Sequence, residues 1–558
     1  MSAVIALALG LGLMALGYLV YSKFIAEKIF RLDPDFKTPA HEFEDGVDFV
    51  PTNRYVLWGH HFTSVAGAAP IVGPAIAVIW GWLPAFLWVS LGTVLFAGVH
   101  DTGAVWASVR NRARSIGALT GDVVGKRARS VFMIVIFLLL LMVNAVFAVV
   151  IAGLMMKYPS AVVPVWGAIA VALVIGQLIY RRILGLAVVS VIGVVALYAL
   201  IGIGPSVPVQ MPEQVGAMSG NAVWILILFG YAAVASLLPV WMLLQPRDYI
   251  NGLQLFIGLI ILYGALVVFN PTLVAPMVNA DVPAGTPSML PLLFVTIACG
   301  AISGFHGLVA GGTTSKQLNK ETDARFVGYF GAVGEGMLAL GAILAATAGF
   351  ATYGEWSAMY DAFGKGGVNA FVDGGAYIIS NGVGLPETTA ATLLTVMAAL
   401  FAGTTMDTGL RLQRYIFQEW GAIYNQQWMK KPAIATLLAV GSCLVLAFGA
   451  GADGSGGLLI WPLFGTTNQL LAGLTLLVVS VMLMRLGRPV WYTLAPLIFL
   501  LSMTVLALFA QLKSFYQAEN YFLLGLDIVV LIASILVAME CAATLKRLRQ
   551  EKAEQAAK

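Results

Sequence analysis

Long apolar runs broken in mid-course by Gly, Pro, Ser, Thr and His constrain this chain more than any other feature. The clearest is LWGHHFTSVAGAAPIVGPAIAVIW at residues 57–80. Its length suits a bilayer-crossing helix, yet Gly67, Pro70, Gly73 and Pro74 fall where the hydrocarbon core would lie, and each proline removes a backbone donor. Backbone left unsatisfied in lipid costs several kcal/mol per group, so non-helical stretches at that depth survive only when packed in protein or lining a watery cavity. Breaks of this kind mark where a solute would bind.

With 60% hydrophobic and 10% charged residues over 558 positions, the chain reads as an all-α polytopic membrane protein embedded in a lipid bilayer. At about 20 residues per crossing, roughly 15 spans are expected, among them 2–22, 58–80, 83–107, 221–244, 288–310 and 388–410. The 2–22 stretch has no basic residues before it and no small-residue cleavage site, and reads as a retained span. Loop charge supports the count. Arg110 to Arg129, Arg181 with Arg182, Arg247, Lys316 to Arg325, Arg411 to Lys431, Arg485 with Arg488 and the tail from Lys546 all fall on one side, while the loops 204–220 and 275–287 carry no Lys or Arg. The positive-inside rule then predicts an external amino terminus and a cytoplasmic carboxyl terminus. The same rule explains the formal net charge of +4 as orientation rather than nucleic-acid binding. Trp80, Trp82, Trp356 and Trp461 are expected at the outer interface, and Trp58 and Trp106 at the inner one. No Walker motif is present, which argues against direct coupling to ATP: Gly125 and Lys126 are followed by Arg127, not Ser or Thr.

Four further segments repeat the polar interruption: LLPVWMLLQPRDY at 237–249, ACGAISGFHGLVAGGTTSKQLNKETDARFVGYFG at 298–331, GTTMDTGLRLQRY at 403–415 and WPLFGTTNQLLAG at 461–473. These strings, together with HHFTSVAGAAPIVGPA, resemble the carbon starvation protein A family, in the right order from about 54 to 485. The resemblance implies a bacterial inner-membrane transporter that scavenges peptides or pyruvate, not an enzyme. It also implies kinship with the amino acid, polyamine and organocation superfamily, whose LeuT-like core is a 5+5 inverted repeat with broken first and sixth helices. On that basis the core is expected at 58–410, with 221–244 as the broken sixth helix and 288–310 as the eighth. A peripheral span 1–22 and a cytoplasmic segment 23–57 precede it; a cytoplasmic loop 411–431, four peripheral spans in 432–545 and a basic tail 546–558 follow.

The expected function is secondary active import of small carboxylate-bearing nutrients, pyruvate or small peptides, by alternating access. The helix end exposed at Gly67 to Pro70 offers amides and a positive dipole for a carboxylate. Candidate substrate-site residues are His60, His61, Ser64, Gly67, Pro70, Ser236, Pro239, Ser303 and His306. Candidate coupling or gating residues are Asp101, Glu335, Asp407, Asp248, Thr313 and Thr314. Asp101 leads them, because no basic partner lies within helical reach and an unpaired intramembrane carboxylate is costly unless protonated or solvated. Asp407 has Arg411 one turn on, so an i,i+4 pair is expected there. No cofactor is expected and the proton is the first choice of coupling ion. A sodium-coupled symporter is the alternative, with a cation site near Ala66, Gly67 and Ser303. An intramembrane metalloenzyme built on the histidines is the rival from another class, but His60 and His61, adjacent on a helix, point about 100° apart.

Overall fold

The computed structural model describes residues 1–557 apart from 47, 182, 240, 241, 450, 452, 455 and 456, so Arg182, Val240 and Trp241 lie outside the described residues. Among the described residues, 13 helices are long and apolar enough to cross a membrane, or up to 14 if the bent pair Arg54–Val65 and Ala69–Trp80 is one span. The shortfall from 15 falls where polar residues interrupt the apolar runs. The bent pair is one such place, and the expected span at 288–310 is the other, cut into the short helices Met289–Thr296, Ala298–Ala301 and Gly304–Val309.

Local chemistry builds the first break. Asn53 caps the Arg54–Val65 helix by accepting from the Tyr55 amide at 2.9 Å. The helix stops at Ala66, whose ψ of 74° leaves the helical region, and the next helix starts at Ala69 with Pro70 in its first turn, where a missing N–H costs nothing. The two halves meet at 52°. The second break has no proline at its joint. Ile302 and Ser303 are extended, with ψ of 131° and 128°, and Asn468 from the Gly457–Arg485 helix replaces the lost ladder by accepting from the Phe305 amide at 3.1 Å.

Three glycines let these segments pack backbone to backbone. A Cβ on Gly73 would lie 2.3 Å from the Thr296 carbonyl oxygen, one on Gly304 2.4 Å from that of Asn468, and one on Gly465 1.9 Å from that of Val295. The broken helices and the Asn468 helix thus form one tight unit.

The structure corrects the expected sixth core helix. Gly220–Leu237 is unbroken, and Ser236 and Pro239 lie at and just beyond its end, in the turn before Leu244–Phe269. Leu238, forced to an extended ψ of 151° by the proline that follows, stops the helix. Its last carbonyls are taken by arginines: Arg411 donates to Ala235 and Leu238, Arg414 to Ser236. Six spans, not four, separate the two real breaks.

A second difference is Gly367–Val383, a helix lying where no span is expected, which buries Ala370, Phe371, Ile378 and Ile379 against the bundle. Lys157, at the same end, is neutralised by Asp373 at 2.7 Å. The basic loops gather at the other end: Arg485 and Arg547 donate to the Val123 and Val124 carbonyls, and Arg129 pairs with Glu419. Arg247, counted with the loop charges, is instead 2% exposed inside the bundle. Trp80, Trp82, Trp106, Trp356 and Trp461 are likewise buried rather than set in a lipid-facing belt.

Candidate functional site

Four ionisable side chains form a continuous buried line. His100 and Asp101 lie on the Gly98–Arg110 helix, His306 follows the second break, and Glu335 lies on Phe330–Ala348. Asp101 Oδ1 is 2.7 Å from His100 Nδ1, and Asp101 Oδ2 is 2.8 Å from His306 Nδ1. On the far side of the same ring, His306 Nε2 lies 3.0 Å from Glu335 Oε2, close enough for an ion pair but out of line for a hydrogen bond. All four side chains are within 2% of complete burial. One imidazole thus bridges two carboxylates and presents a different nitrogen to each, which is the arrangement that lets a ring accept a proton on one side and release it on the other.

Each of the three strands of this line lies close to a widened, π-type helical turn: Thr93–Ala97 before His100, Ala310–Thr314 after His306, and Arg325–Tyr329 before Glu335. Such turns redirect side chains and recur at functional sites. His61 borders the line. Its Nδ1 lies 2.8 Å from Thr314 Oγ1, and its ring abuts Gly331, one turn before Glu335. His61 Nε2, His100 Nε2 and Glu335 Oε1 have no hydrogen-bond partner among the described residues. The expectation that Asp101 is unpaired is therefore corrected: two imidazoles hold it, one adjacent in sequence and one 205 positions away.

Ser303 belongs to the joint beside this line. Asn468 Nδ2 donates to Ser303 Oγ at 3.1 Å and approaches Cys299 Sγ at 2.9 Å. At the cation site expected from Ala66, Gly67 and Ser303, Gly67 and Ser303 each meet a different polar neighbour. The hydroxyl against Gly67 is that of Thr405, which an added Cβ would meet at 2.6 Å, while the Ser303 side chain is committed to Asn468.

Asp407 and Asp248 form a second cluster around Arg247. Arg247 Nη1 contacts Asp407 Oδ2 and donates to Tyr231 Oη at 2.8 Å, Tyr231 donates to Asp407 at 2.8 Å, and Arg247 Nη2 reaches Asp248 at 3.3 Å. The expected Asp407–Arg411 pair is corrected, since Arg411 caps the Gly220–Leu237 helix and Arg247 holds Asp407 instead. Four other expected residues stand apart from both clusters. His60 is half-buried, Ser64 back-bonds to the His60 carbonyl, Thr313 is exposed and back-bonds to Val309, and Pro70 is packed inside its helix. Ser236 back-bonds to the Ala233 carbonyl at the helix end. Sequence reasoning gave no site role to Asn468, Arg247 or Tyr231; the FGTTNQ and QPRDY strings were the available signals for the first two.

Among the described residues no three His, Cys, Asp or Glu side chains are placed to hold a metal ion. Of the histidines, His61 is hydrogen-bonded to Thr314, and His100 and His306 to Asp101.

A bundle of this many apolar helices, with a buried polar line beside a broken segment, defines a polytopic membrane protein. The family model for carbon starvation protein CstA matches residues 2–364 and 352–507, and the chain belongs to that family. It is 34% identical over 548 residues to the peptide transporter CstA of Campylobacter jejuni, covering 88% of this chain and 77% of that protein. Over 590 residues it is 33% identical to the pyruvate/proton symporter BtsT of Escherichia coli, covering 90% and 82%. The peptide transporter CstA of Bacillus subtilis is 30% identical and covered, like this chain, over 96% of its length. Among solved structures, that of MhsT in complex with L-phenylalanine is similar at a TM-score of 0.48 and 12% identity, over 88% of this chain and 99% of that one, too slight a likeness to carry an argument.

Proposed function

We propose that this protein is a proton-coupled importer of small carboxylate-bearing nutrients, pyruvate or short peptides, across the bacterial inner membrane. The observation that carries the reading is the buried line His100–Asp101–His306–Glu335, which ties the segment after the second break to two neighbouring helices. A proton passing between Glu335 and Asp101 through His306 would change the charge three residues from the Ser303 joint, and so favour one packing of that broken segment over another. The solute's carboxylate is placed at the buried amides of Ala68 and Ala69, where the second half of the first broken helix begins. The relatives named for peptide and for pyruvate transport support this class of solute.

The core is an inverted repeat. Its discontinuous helices are 54–80 and 289–314, and the hairpin Pro159–Leu178 with Ala187–Ser206, whose members are among the less buried spans, is an insertion. Setting that hairpin aside leaves four spans between the breaks. Glu387–Ile423 then takes the eighth position, and it is the helix whose Thr405 abuts Gly67. A sodium-coupled member of the superfamily would place its ion there rather than at Ser303. The basic loops face the cytoplasm, with the amino terminus outside.

Uptake of labelled pyruvate and of a labelled dipeptide into proteoliposomes, under an imposed proton or sodium gradient, tests the reading. Proton-driven uptake that is lost in Asp101→Asn and in Glu335→Gln is expected. Uptake driven by sodium, lost in Thr405→Ala and kept in Asp101→Asn, would overturn proton coupling and move the coupling site to the Gly67 break.

A further inference from the structure

A recess lies on the face of Glu387–Ile423 turned away from the first break. It is lined by Met155, Trp166, Leu228, Leu400 and Gly403, and by Tyr231 and Arg247, whose hydroxyl and guanidinium are bonded to one another at 2.8 Å. Ala399, Gly403 and Asp407 follow one another at one-turn intervals and share this face, whereas Thr405, against Gly67, is two residues and about 200° from Gly403. The recess is thus separate from the breaks and from the His306 line.

Three observations point to an anion in the recess. Arg247, on the lining, pairs with Asp407 and Asp248, while Arg411 and Arg414, farther along the helix that carries Asp407, spend their Nη atoms on the Gly220–Leu237 helix end, which supplies only a partial negative charge. The Nε–H of each of the three is buried and has no hydrogen-bond partner among the described residues. Buried donors on a cation are seldom left unmatched, and an arginine fork that spends only its Nη atoms keeps a second edge for a planar carboxylate. Finally, a Cβ on Gly403 would meet nothing within 4 Å, so close packing does not account for a glycine in mid-helix.

We propose that this recess is a binding site for a monocarboxylate with an apolar body, held by Arg247 and Tyr231 at the carboxylate and by Trp166, Leu228 and Leu400 along the body. Its free volume is about 30 Å³, room for a water or two. Occupation therefore requires Trp166 and the hairpin that carries it to shift outward from the core, and the site couples that hairpin to the Arg247–Asp407 pair. The carboxylate could come from the transported solute or from a free fatty acid. The chemistry is shared, and the two are separated by the probe.

The test is thermal unfolding of the purified full-length protein titrated with pyruvate, with octanoate and with octanamide. Two variants accompany wild type: Arg247→Gln with Asp407→Asn, which removes both charges of the pair together, and Gly403→Leu, which fills the recess in open space and leaves every charge in place. Stabilisation by pyruvate or octanoate but not by octanamide, with apparent affinity at least about tenfold weaker in both variants, is expected. Preference for octanoate assigns the site to fatty acids, and preference for pyruvate assigns it to the solute. Equal stabilisation by octanamide, unchanged affinity in Gly403→Leu, or no stabilisation of wild type by either acid would overturn the proposal.

Discussion

Asn468 does for the second break what an intact helix would do for itself. Its carboxamide takes the Phe305 N–H that the extended joint frees and also bonds the Ser303 hydroxyl, so one side chain from another helix holds both sides of the joint. Replacing it with Leu strands the Phe305 amide in a buried position, and a loss of about 1–3 kcal/mol is expected, read as a lower unfolding temperature of the purified protein. Ser303→Ala, which leaves the amide bonded, should cost much less. The opposite sign is expected at Asp527, in the terminal Tyr521–Ala557 helix. Both its carboxylate oxygens are buried without a partner among the described residues, so Asp527→Leu should stabilise by about 1–3 kcal/mol in the same assay. Sequence reasoning at this scale reaches only one helical turn. It could therefore see Arg411 near Asp407 and only the adjacent His100 beside Asp101, whereas Arg247 and His306 come from 160 and 205 positions away.

Among the elements, the first break was legible because its cause is local: glycine and proline announce it within the span. The second was legible only in part: the stretch 298–331 carries the polar interruption, but with no proline at the joint the run 288–310 is expected as one span, because what holds its break is Asn468 from another helix. The Gly367–Val383 helix was illegible for another reason. It is 17 residues long and carries Asp373 and Asn381, too short and polar for a span, and only its buried face betrays it. The contact that fixes the first break in place is the approach of Gly67 to Thr405. Gly67→Ala would force a Cβ to within 2.6 Å of the Thr405 hydroxyl, and a cost of about 1–3 kcal/mol is expected. Because the clash is with a single side-chain atom, Thr405→Ala should restore most of that loss. A double-mutant cycle on unfolding temperature would show coupling of about 0.5–3 kcal/mol, and strict additivity would mean that the two residues do not touch. Gly312→Ala, where an added Cβ meets nothing, is the matched control.

For the whole molecule, the proposed proton coupling requires that a line of ionisable groups sealed on every side exchange protons with water. Asp101, His100 and His306 are fully buried, so the structure represents a state closed around them. Alternating access requires another state in which one end opens, and the basic end is the one expected to do so, because Thr314 and His61 lie between the line and the exposed Thr313. Thiol labelling can watch that opening, since Cys299, Cys443 and Cys541 are all buried and the background should be low. Thr314→Cys keeps the size of a side chain that is buried here, whereas Thr313→Cys sits one residue away and is already exposed. With an impermeant maleimide applied to inside-out vesicles, the cysteine at 313 should react whether or not the protein is turning over. The one at 314 should react only when a proton gradient and solute are both supplied. Reaction of 314 solely from the opposite face would reverse the orientation that the basic loops imply. Equal reaction at rest would mean that His61 and Thr314 seal nothing, and the gate would have to be sought at the Arg247–Asp407 pair.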